Sequence, residues 1–169
     1  MTTRDQVAHL LRRFGLGASL AELDACEKLG VQGTLDRLLN FEKVEEGFEV
    51  SPWEFCFQTN GQLQTQPTRI ASWWALRLLM TRRPLQERLT LFWHDHFAVS
   101  GAKVESGPIM LEHVETLRRH GAGKFRVLLG AVAKDPAMLR WLDNDLSVKG
   151  SPNENFAREP LELITIGIG

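Results

Sequence analysis

RPLQERLTLFWHDHFAVS, residues 83–100, is the stretch that decides the fold class. Its proline at position 84 suits the first turn of a helix, and bulky apolar residues then recur at spacings of three and four. This pattern predicts an α-helix over residues 84–98. One face of that helix should be an apolar arc, formed by Leu85, Leu89, Phe92, Trp93 and Phe97.

Further helices are predicted on both sides of this stretch, because helix-capping residues and helix-initiating prolines recur along the chain. They are expected at residues 3–14, 19–30, 34–40, 67–82, 108–120, 124–134 and 135–142. Strand and hairpin signals are almost lacking. The sequence therefore predicts an all-α fold: one helical domain over residues 1–169, an irregular multi-helix bundle with tryptophan-rich helices in its core.

Several local motifs refine this prediction. Thr3 with Gln6 and Ser19 with Glu22 have the spacing of a capping box, and so has each of two Ser-Pro-x-Glu segments, residues 51–54 and 151–154. The segment TNGQLQTQP, residues 59–67, is polar and turn-prone, which predicts a loop. The glycines at positions 15 and 17 lack the third glycine of a dinucleotide loop and are expected to end a helix. The sequence thus identifies no cofactor.

Charge and composition argue against several classes of partner. Lys plus Arg total 20 and Asp plus Glu total 21, so the net charge of −1 favours neither nucleic acid nor an anionic membrane as a partner. Cys26 and Cys56 form no zinc motif and are expected to be reduced. The N-terminus resembles no signal peptide, and no apolar run has the length of a membrane span. A cytoplasmic protein is therefore expected.

The two histidines of the opening stretch are the first candidate site. His96 falls in the middle of the apolar arc and is expected to be buried as a structural residue. His94 lies about 160° away on the helical wheel, so a regular helix cannot direct both imidazoles at one metal ion. A metal-binding or catalytic role for His94 and His96 is the alternative interpretation. His113 and His120 share another helix face and are expected at its boundary with solvent.

A second group of candidates lies in ENFAREPLE, residues 154–162. Glu154 is expected to cap a helix and to pair with Arg158 one turn later. Glu159 falls on a polar face opposite the apolar residues of the same helix, and such a face is usually solvated. If that face were covered, its carboxylates would need a cation, an arginine or a proton.

Four stretches of the chain together resemble a known bacterial family, the domain of unknown function 1800. They are HLLRRFGLG at residues 9–17, RPLQERLTLFWHDHFAVS at 83–100, FRVLLGAVAKDPAMLRWLDN at 125–144 and KGSPNENFAREPLELITIGIG at 149–169. The resemblance implies a mostly helical protein without an established activity, many of whose relatives are exported. It carries over no catalytic residue.

The resemblance also marks two differences from the family pattern. Family members are usually well over twice as long, which implies that this chain corresponds to an N-terminal portion. Pro160 stands where the family has a helix-forming residue, so a kink is expected there. The isoleucines at positions 164, 166 and 168 are expected to form an exposed apolar surface.

Two functional hypotheses follow. The favoured one is a non-catalytic scaffold or partner-binding module with a buried network of histidines and carboxylates, whose partner is another protein or the C-terminal portion. The alternative is a metal-dependent or acid–base enzyme, hydrolytic in one version, whose site is completed by residues beyond this chain. The candidate residues of that site are His94, Asp95, His96, Glu154, Arg158 and Glu159, with His94 and His96 as metal ligands.

Overall fold

A computed structural model of the protein describes residues 1–59 and 62–159. Within these ranges the chain forms nine α-helices and two short strands. The helices are α1 (Thr3–Phe14), α2 (Leu20–Leu39), α3 (Pro67–Met80), α4 (Pro84–Phe97), α5 (Gly101–Val104), α6 (Gly107–His120), α7 (Phe125–Val132), α8 (Pro136–Trp141) and α9 (Glu154–Glu159). Single 3₁₀ turns occur at Phe41–Lys43, Pro52–Phe55 and Asn144–Leu146. The predicted all-α class and the predicted positions of the main helices are confirmed.

The expected loop at residues 59–67 is wrong in part. The strands β1 (Phe57–Thr59) and β2 (Gln62–Gln64) pair antiparallel, with Thr59 opposite Gln62. The sequence Asn60-Gly61 between them is the dipeptide that most favours a two-residue hairpin, so a signal was present. This hairpin signal was hard to recognise because the segment is polar, and polar strands lack the alternation of apolar residues that identifies a strand.

The described chain divides into two compact units. The first comprises Met1–Val50 and Trp74–Leu89, and the second comprises Ser51–Trp73 and the chain from Thr90 onward. One domain over the whole chain stays a prediction.

In the first unit, α1 and α2 pack around a small core of Val7, Leu11, Cys26 and Leu38. Gly30 has a φ of 71°, which interrupts α2 where the sequence predicts a helix end. The capping box of α1 forms between Thr2 and Asp5, one residue earlier than predicted. The predicted boxes of Ser19 with Glu22 and of Ser51 with Glu54 are confirmed.

A buried polar pair also belongs to the first unit. The indole Nε1 of Trp74 donates a hydrogen bond to Oε2 of Glu87 at 3.0 Å, and both side chains are buried. Nearby in sequence, Arg77 Nε donates to Glu46 Oε1 at 2.8 Å, and its guanidinium lies 5.4 Å from the ring centroid of Phe48. These side chains stabilise the unit through polar contacts as well as apolar burial.

The second unit has a larger apolar core, drawn mainly from α5 to α8. Its buried members are Phe97, Val99, Val104, Met110, Leu117, Leu128, Val132, Ala137 and Met138. Trp93, Trp141 and Phe156 pack against this core while remaining partly exposed. The core thus fixes the end of α4, the middle of α6 and the start of α8, and these three segments carry the site described below.

Two predictions on the C-terminal segment have different outcomes. The capping box of Ser151 with Glu154 is wrong: Ser151 forms an isolated bridge with Val148, and α9 begins at Glu154. The side-chain amide of Asn153 instead donates to the carbonyl of Leu142 at 2.7 Å. Pro160 and the isoleucines at positions 164, 166 and 168 lie outside the described residues. Among the described helices, none is long and apolar enough to cross a membrane.

Candidate functional site

The buried face of α4 differs from the predicted apolar arc. Thr90 and Phe97 are buried, whereas Phe92 is 56% exposed and His96 is also exposed. The expectation that His96 is buried is therefore wrong. His94, predicted to lie away from the core, is half-buried, and its ring Nδ1 is inaccessible to solvent. The core accepts this face because other helices place polar side chains against it.

Three polar side chains from three helices meet at that place, and we call them the His–Asp cluster: His94 of α4, His113 of α6 and Asp135 at the start of α8. The rings of His94 and His113 have centroids 5.6 Å apart and planes inclined by 60°. Nδ1 of His113 lies 3.3 Å from Oδ1 of Asp135, and the two side chains are 0% and 1% exposed. His113 and Asp135 are thus enclosed by the protein, whereas His94 is half-buried.

Asp135 has a second role in the cluster as the N-cap of α8. Its Oδ1 accepts hydrogen bonds from the backbone N–H groups of Ala137 at 2.8 Å and Met138 at 3.3 Å. A carboxylate at a helix N-terminus satisfies unpaired amides and interacts favourably with the helix dipole. Because the same oxygen faces His113, the start of α8 and the imidazole of α6 are coupled.

The electrostatics of the cluster keep His94 neutral. The pKa of His94 is lowered from 6.5 to about 4, first by burial and then by the neighbouring His113, while Asp95 opposes the change. Desolvation disfavours a charged imidazole, and a second imidazole adds repulsion once protons bind. At neutral pH the His94 imidazole is therefore uncharged and can serve as donor and acceptor.

Some polar atoms of the cluster lack a directed partner. Within residues 1–59 and 62–159, neither ring nitrogen of His113 forms a hydrogen bond, and Oδ2 of Asp135 forms none either. The 3.3 Å approach of His113 to Asp135 is consequently an electrostatic contact without hydrogen-bond geometry. Buried polar groups of native proteins are usually satisfied by protein or water, so this cluster is polar and under-satisfied.

The exposed candidates lie on a different surface of the second unit. His96 and Glu159 line one cleft of about 80 Å³, whose other walls are Phe97, Ala98, Met138, Trp141 and Leu142. Arg158 Nη2 lies 3.6 Å from Glu159 Oε1. Asp95 and Glu154 are exposed, and neither lines this cleft. The structure therefore brings together three of the six predicted site residues and leaves His94 with the buried cluster.

The described ranges contain no group of three His, Cys, Asp or Glu side chains arranged to hold a metal ion. The geometry of α4 accounts for this, because His94 faces His113 whereas His96 faces the cleft. A shared metal on His94 and His96 stays a prediction that the described residues do not favour.

Next to the cleft lies a group of exposed rings, which we call the aromatic surface: Phe92, Trp93, His96 and Phe125. The ring centroid of Trp93 lies 4.9 Å from that of Phe92, 5.5 Å from that of His96 and 5.7 Å from that of Phe125. The indole Nε1 of Trp93 donates to the carbonyl of Gly121 at 2.7 Å. These contacts hold the rings in one connected patch.

Sequence reasoning missed two members of the His–Asp cluster. His113 is fully buried, so its predicted boundary position is wrong, and Asp135 was recognised only as the start of a helix. A usable signal existed for His113, since it lies three residues after the buried Met110 and four before the buried Leu117. No local signal links position 113 to position 135, because the contact depends on how α6 and α8 pack.

Comparison with known proteins assigns no reaction to the chain. No curated protein matches the chain at a significant level. No solved structure does either. One family profile matches residues 9–169, which is nearly the whole chain. By that match the chain belongs to the family described as protein of unknown function (DUF1800).

Proposed function

We propose that this chain is a non-catalytic helical module that binds a partner protein, and that the His–Asp cluster is an internal lock between its helices. The observation that carries the proposal is the enclosure of the cluster. His113 and Asp135 are 0% and 1% exposed, whereas the exposed rings of Phe92 and Phe125 face solvent. The contact between His113 and Asp135 thus lies inside the protein, whereas these aromatic rings are available to another molecule.

The solvent accessibility of His113 and Asp135 distinguishes a structural lock from a catalytic dyad. A general base must lie within hydrogen-bond reach of the proton that it removes from a substrate, directly or through one water. The side chains of His113 and Asp135 have no exposed path to such a substrate in the described ranges. Asp135 Oδ1 also accepts hydrogen bonds from two backbone amides of α8, as the side chain of a structural helix cap does.

The proposed lock should make a measurable contribution to the free energy of unfolding. Removing one member of a buried polar cluster leaves the others desolvated and costs about 1–3 kcal/mol, because the lost contact is not replaced by water. Members in contact should also be coupled by more than about 0.5 kcal/mol in a double-mutant cycle. A cluster of this kind selects one packing of its helices over others.

The test is a double-mutant cycle on His113→Leu and Asp135→Asn, with the free energy of unfolding measured in urea and the metal content measured for each protein. Each single substitution should lower the free energy of unfolding by about 1–3 kcal/mol, and the double substitution should lower it by less than the sum. Asn retains a side-chain oxygen for the α8 cap, so its effect isolates the charge that faces His113. Additive effects, or a stoichiometric metal lost on His113→Leu, would overturn the proposal.

A second candidate function rests on the cleft that contains His96 and Glu159. An exposed imidazole and a carboxylate paired with Arg158 could act as acid and base on a small substrate, completed by residues outside the described ranges. Assays with nitrophenyl esters, phosphates and glycosides test this candidate. Turnover lost in both His96→Ala and Glu159→Gln but retained in Asp95→Asn would support it, and turnover unaffected by both changes would exclude it.

A further inference from the structure

We propose that the aromatic surface, together with the basic residues beside it, binds an acidic segment of another protein through an apolar or aromatic anchor side chain. This inference rests on the proposed function and names the chemistry of the partner. Two independent features of the second unit support it: preformed exposed rings and an unbalanced positive charge.

The rings are exposed and yet held in place. Phe92 is 56% exposed and Phe125 is 40% exposed, and both contact the indole of Trp93. The hydrogen bond from Trp93 Nε1 to the carbonyl of Gly121 fixes that indole. Because little side-chain entropy remains to be lost, such rings bind an anchor side chain favourably, and aromatic residues dominate the energetics of many interfaces.

Gly121 keeps the surface in this arrangement. A Cβ at position 121 would lie 2.8 Å from Cδ1 of Trp93 and 2.6 Å from the carbonyl oxygen of Leu117. Only glycine lets the turn after α6 approach the indole so closely. The turn therefore positions both Trp93 and the residues that follow it on α7.

The charge next to the rings is mainly positive. Lys124 and Arg126 flank Phe125 in the sequence, and both are exposed. Arg119, also exposed, precedes Gly121 by two residues. Within the part of the chain that the structure describes, none of these three side chains forms an ion pair. Two acidic residues lie near the rings: Asp95, which precedes His96 in the sequence, and Glu159, which lines the cleft with His96 and pairs with Arg158.

Three exposed cations that lie next to the aromatic surface in the sequence, and that pair with no carboxylate within the described ranges, are complementary to a segment rich in Asp and Glu. Complementary charge accelerates association, and the buried anchor slows dissociation. A polyanionic nucleic acid fits less well, because the whole chain carries a net charge of −1 and so lacks the extended positive field that draws such ligands.

The experiment uses the whole chain and a fluorescein-labelled peptide in which one phenylalanine is flanked on both sides by glutamates. Binding is followed by fluorescence anisotropy at about 50 mM and about 300 mM salt. Affinity should fall at the higher salt concentration. It should fall by at least about tenfold for the double variant Lys124→Glu/Arg126→Glu and for Phe125→Ser.

Matched controls separate the surface from the fold. Lys134→Glu reverses an exposed lysine beyond the other end of α7, and Leu146→Ser removes an exposed apolar side chain of the same unit. Both should keep wild-type affinity. A urea midpoint equal to that of the wild type should accompany the loss of binding in Lys124→Glu/Arg126→Glu, because both side chains are exposed. Phe125→Ser removes a ring that stacks on Trp93, so its binding is measured at a urea-free condition in which circular dichroism shows it to be folded.

Four results would overturn the inference. They are no binding of the peptide at about 1 mM, equal affinity in the wild type and the test variants, equal affinity for the peptide with serine in place of phenylalanine, and tighter binding of a thymidine oligonucleotide than of the peptide. The proposed lock is judged separately by the unfolding of Asp135→Asn, so failure of this surface and failure of the proposed function are distinguishable.

Discussion

The imidazoles of His94 and His113 face each other across α4 and α6 with ring centroids 5.6 Å apart, inside the second unit. Two imidazoles at this distance cannot both accept protons without repulsion. The position of His94 in this pair therefore makes the stability of the protein depend on pH.

We expect stability to fall in weak acid because of His94. Its pKa is lowered by burial from 6.5 to about 4 in the folded protein, so between these values the unfolded chain binds more protons than the folded one. The contribution is complete above pH 6.5 and is lost as the pH falls to about 4. Urea midpoints measured across this range should decline more steeply in the wild type than in His94→Gln. The control His9→Gln, at an exposed histidine, should retain the wild-type slope.

The two histidines of α4 should differ in the cost of their removal. His94→Ala is expected to lower the free energy of unfolding by about 1–3 kcal/mol, because it empties a half-buried site against His113. His96→Ala should cost less than about 1 kcal/mol, because that ring lies at the surface. Urea denaturation measures both. A larger loss in His96→Ala would contradict the packing of α4 described above.

Trp74→Phe should destabilise the first unit. The substitution keeps most of the apolar volume and removes the indole donor that lies 3.0 Å from a carboxylate oxygen of the buried Glu87. A loss of about 1–3 kcal/mol is expected, because a buried carboxylate then has one hydrogen bond fewer. Trp53→Phe is the control, since Trp53 is 50% exposed, and it should change stability by less than about 0.5 kcal/mol. Equal thermal midpoints for the two variants would contradict this prediction.

Glycine substitutions should have opposite signs at two positions. A Cβ at Gly107 would collide with the backbone carbonyl of Thr65, to which the Gly107 N–H donates at 3.0 Å, so Gly107→Ala should lower the thermal midpoint. A Cβ at Gly130, within α7, would meet open space. Gly130→Ala should therefore raise stability by about 0.5–1 kcal/mol through its higher helix propensity. Differential scanning calorimetry of both variants decides the matter, and a stabilised Gly107→Ala would refute the close approach.

The helix positions could be predicted because their signals are local. Proline in the first turn marks α3, α4, α6 and α8, and capping side chains mark α1 and α2. The pairing of β1 with β2 was missed because the two strands are short and polar. Pairing of such strands depends on the turn between them more than on apolar alternation.

The site was harder to predict because it reverses the usual rule of burial. His94 is half-buried on the side of α4 that hydrophobicity assigns to solvent, Thr90 is buried at the edge of the apolar arc, and Phe92 within that arc is exposed. The choice between the two faces depends on His113 and Asp135, which lie about 20 and about 40 residues further along the chain. No window around α4 contains that information. His96 and Glu159 line one cleft, and a functional role for these two candidates stays a prediction.

The side chain of Asp135 both accepts a hydrogen bond from the backbone of α8 and contacts the imidazole of His113 on α6. Evolution should therefore constrain position 135 twice, once by the cap of α8 and once by the contact with His113, whereas most residues are under one such constraint. Serine or asparagine would still cap the helix but would remove the charge facing position 113. Across the family, we expect residues 113 and 135 to covary, so that histidine at one position accompanies a carboxylate at the other. Capping residues elsewhere, such as Ser19, should interchange freely with threonine or aspartate.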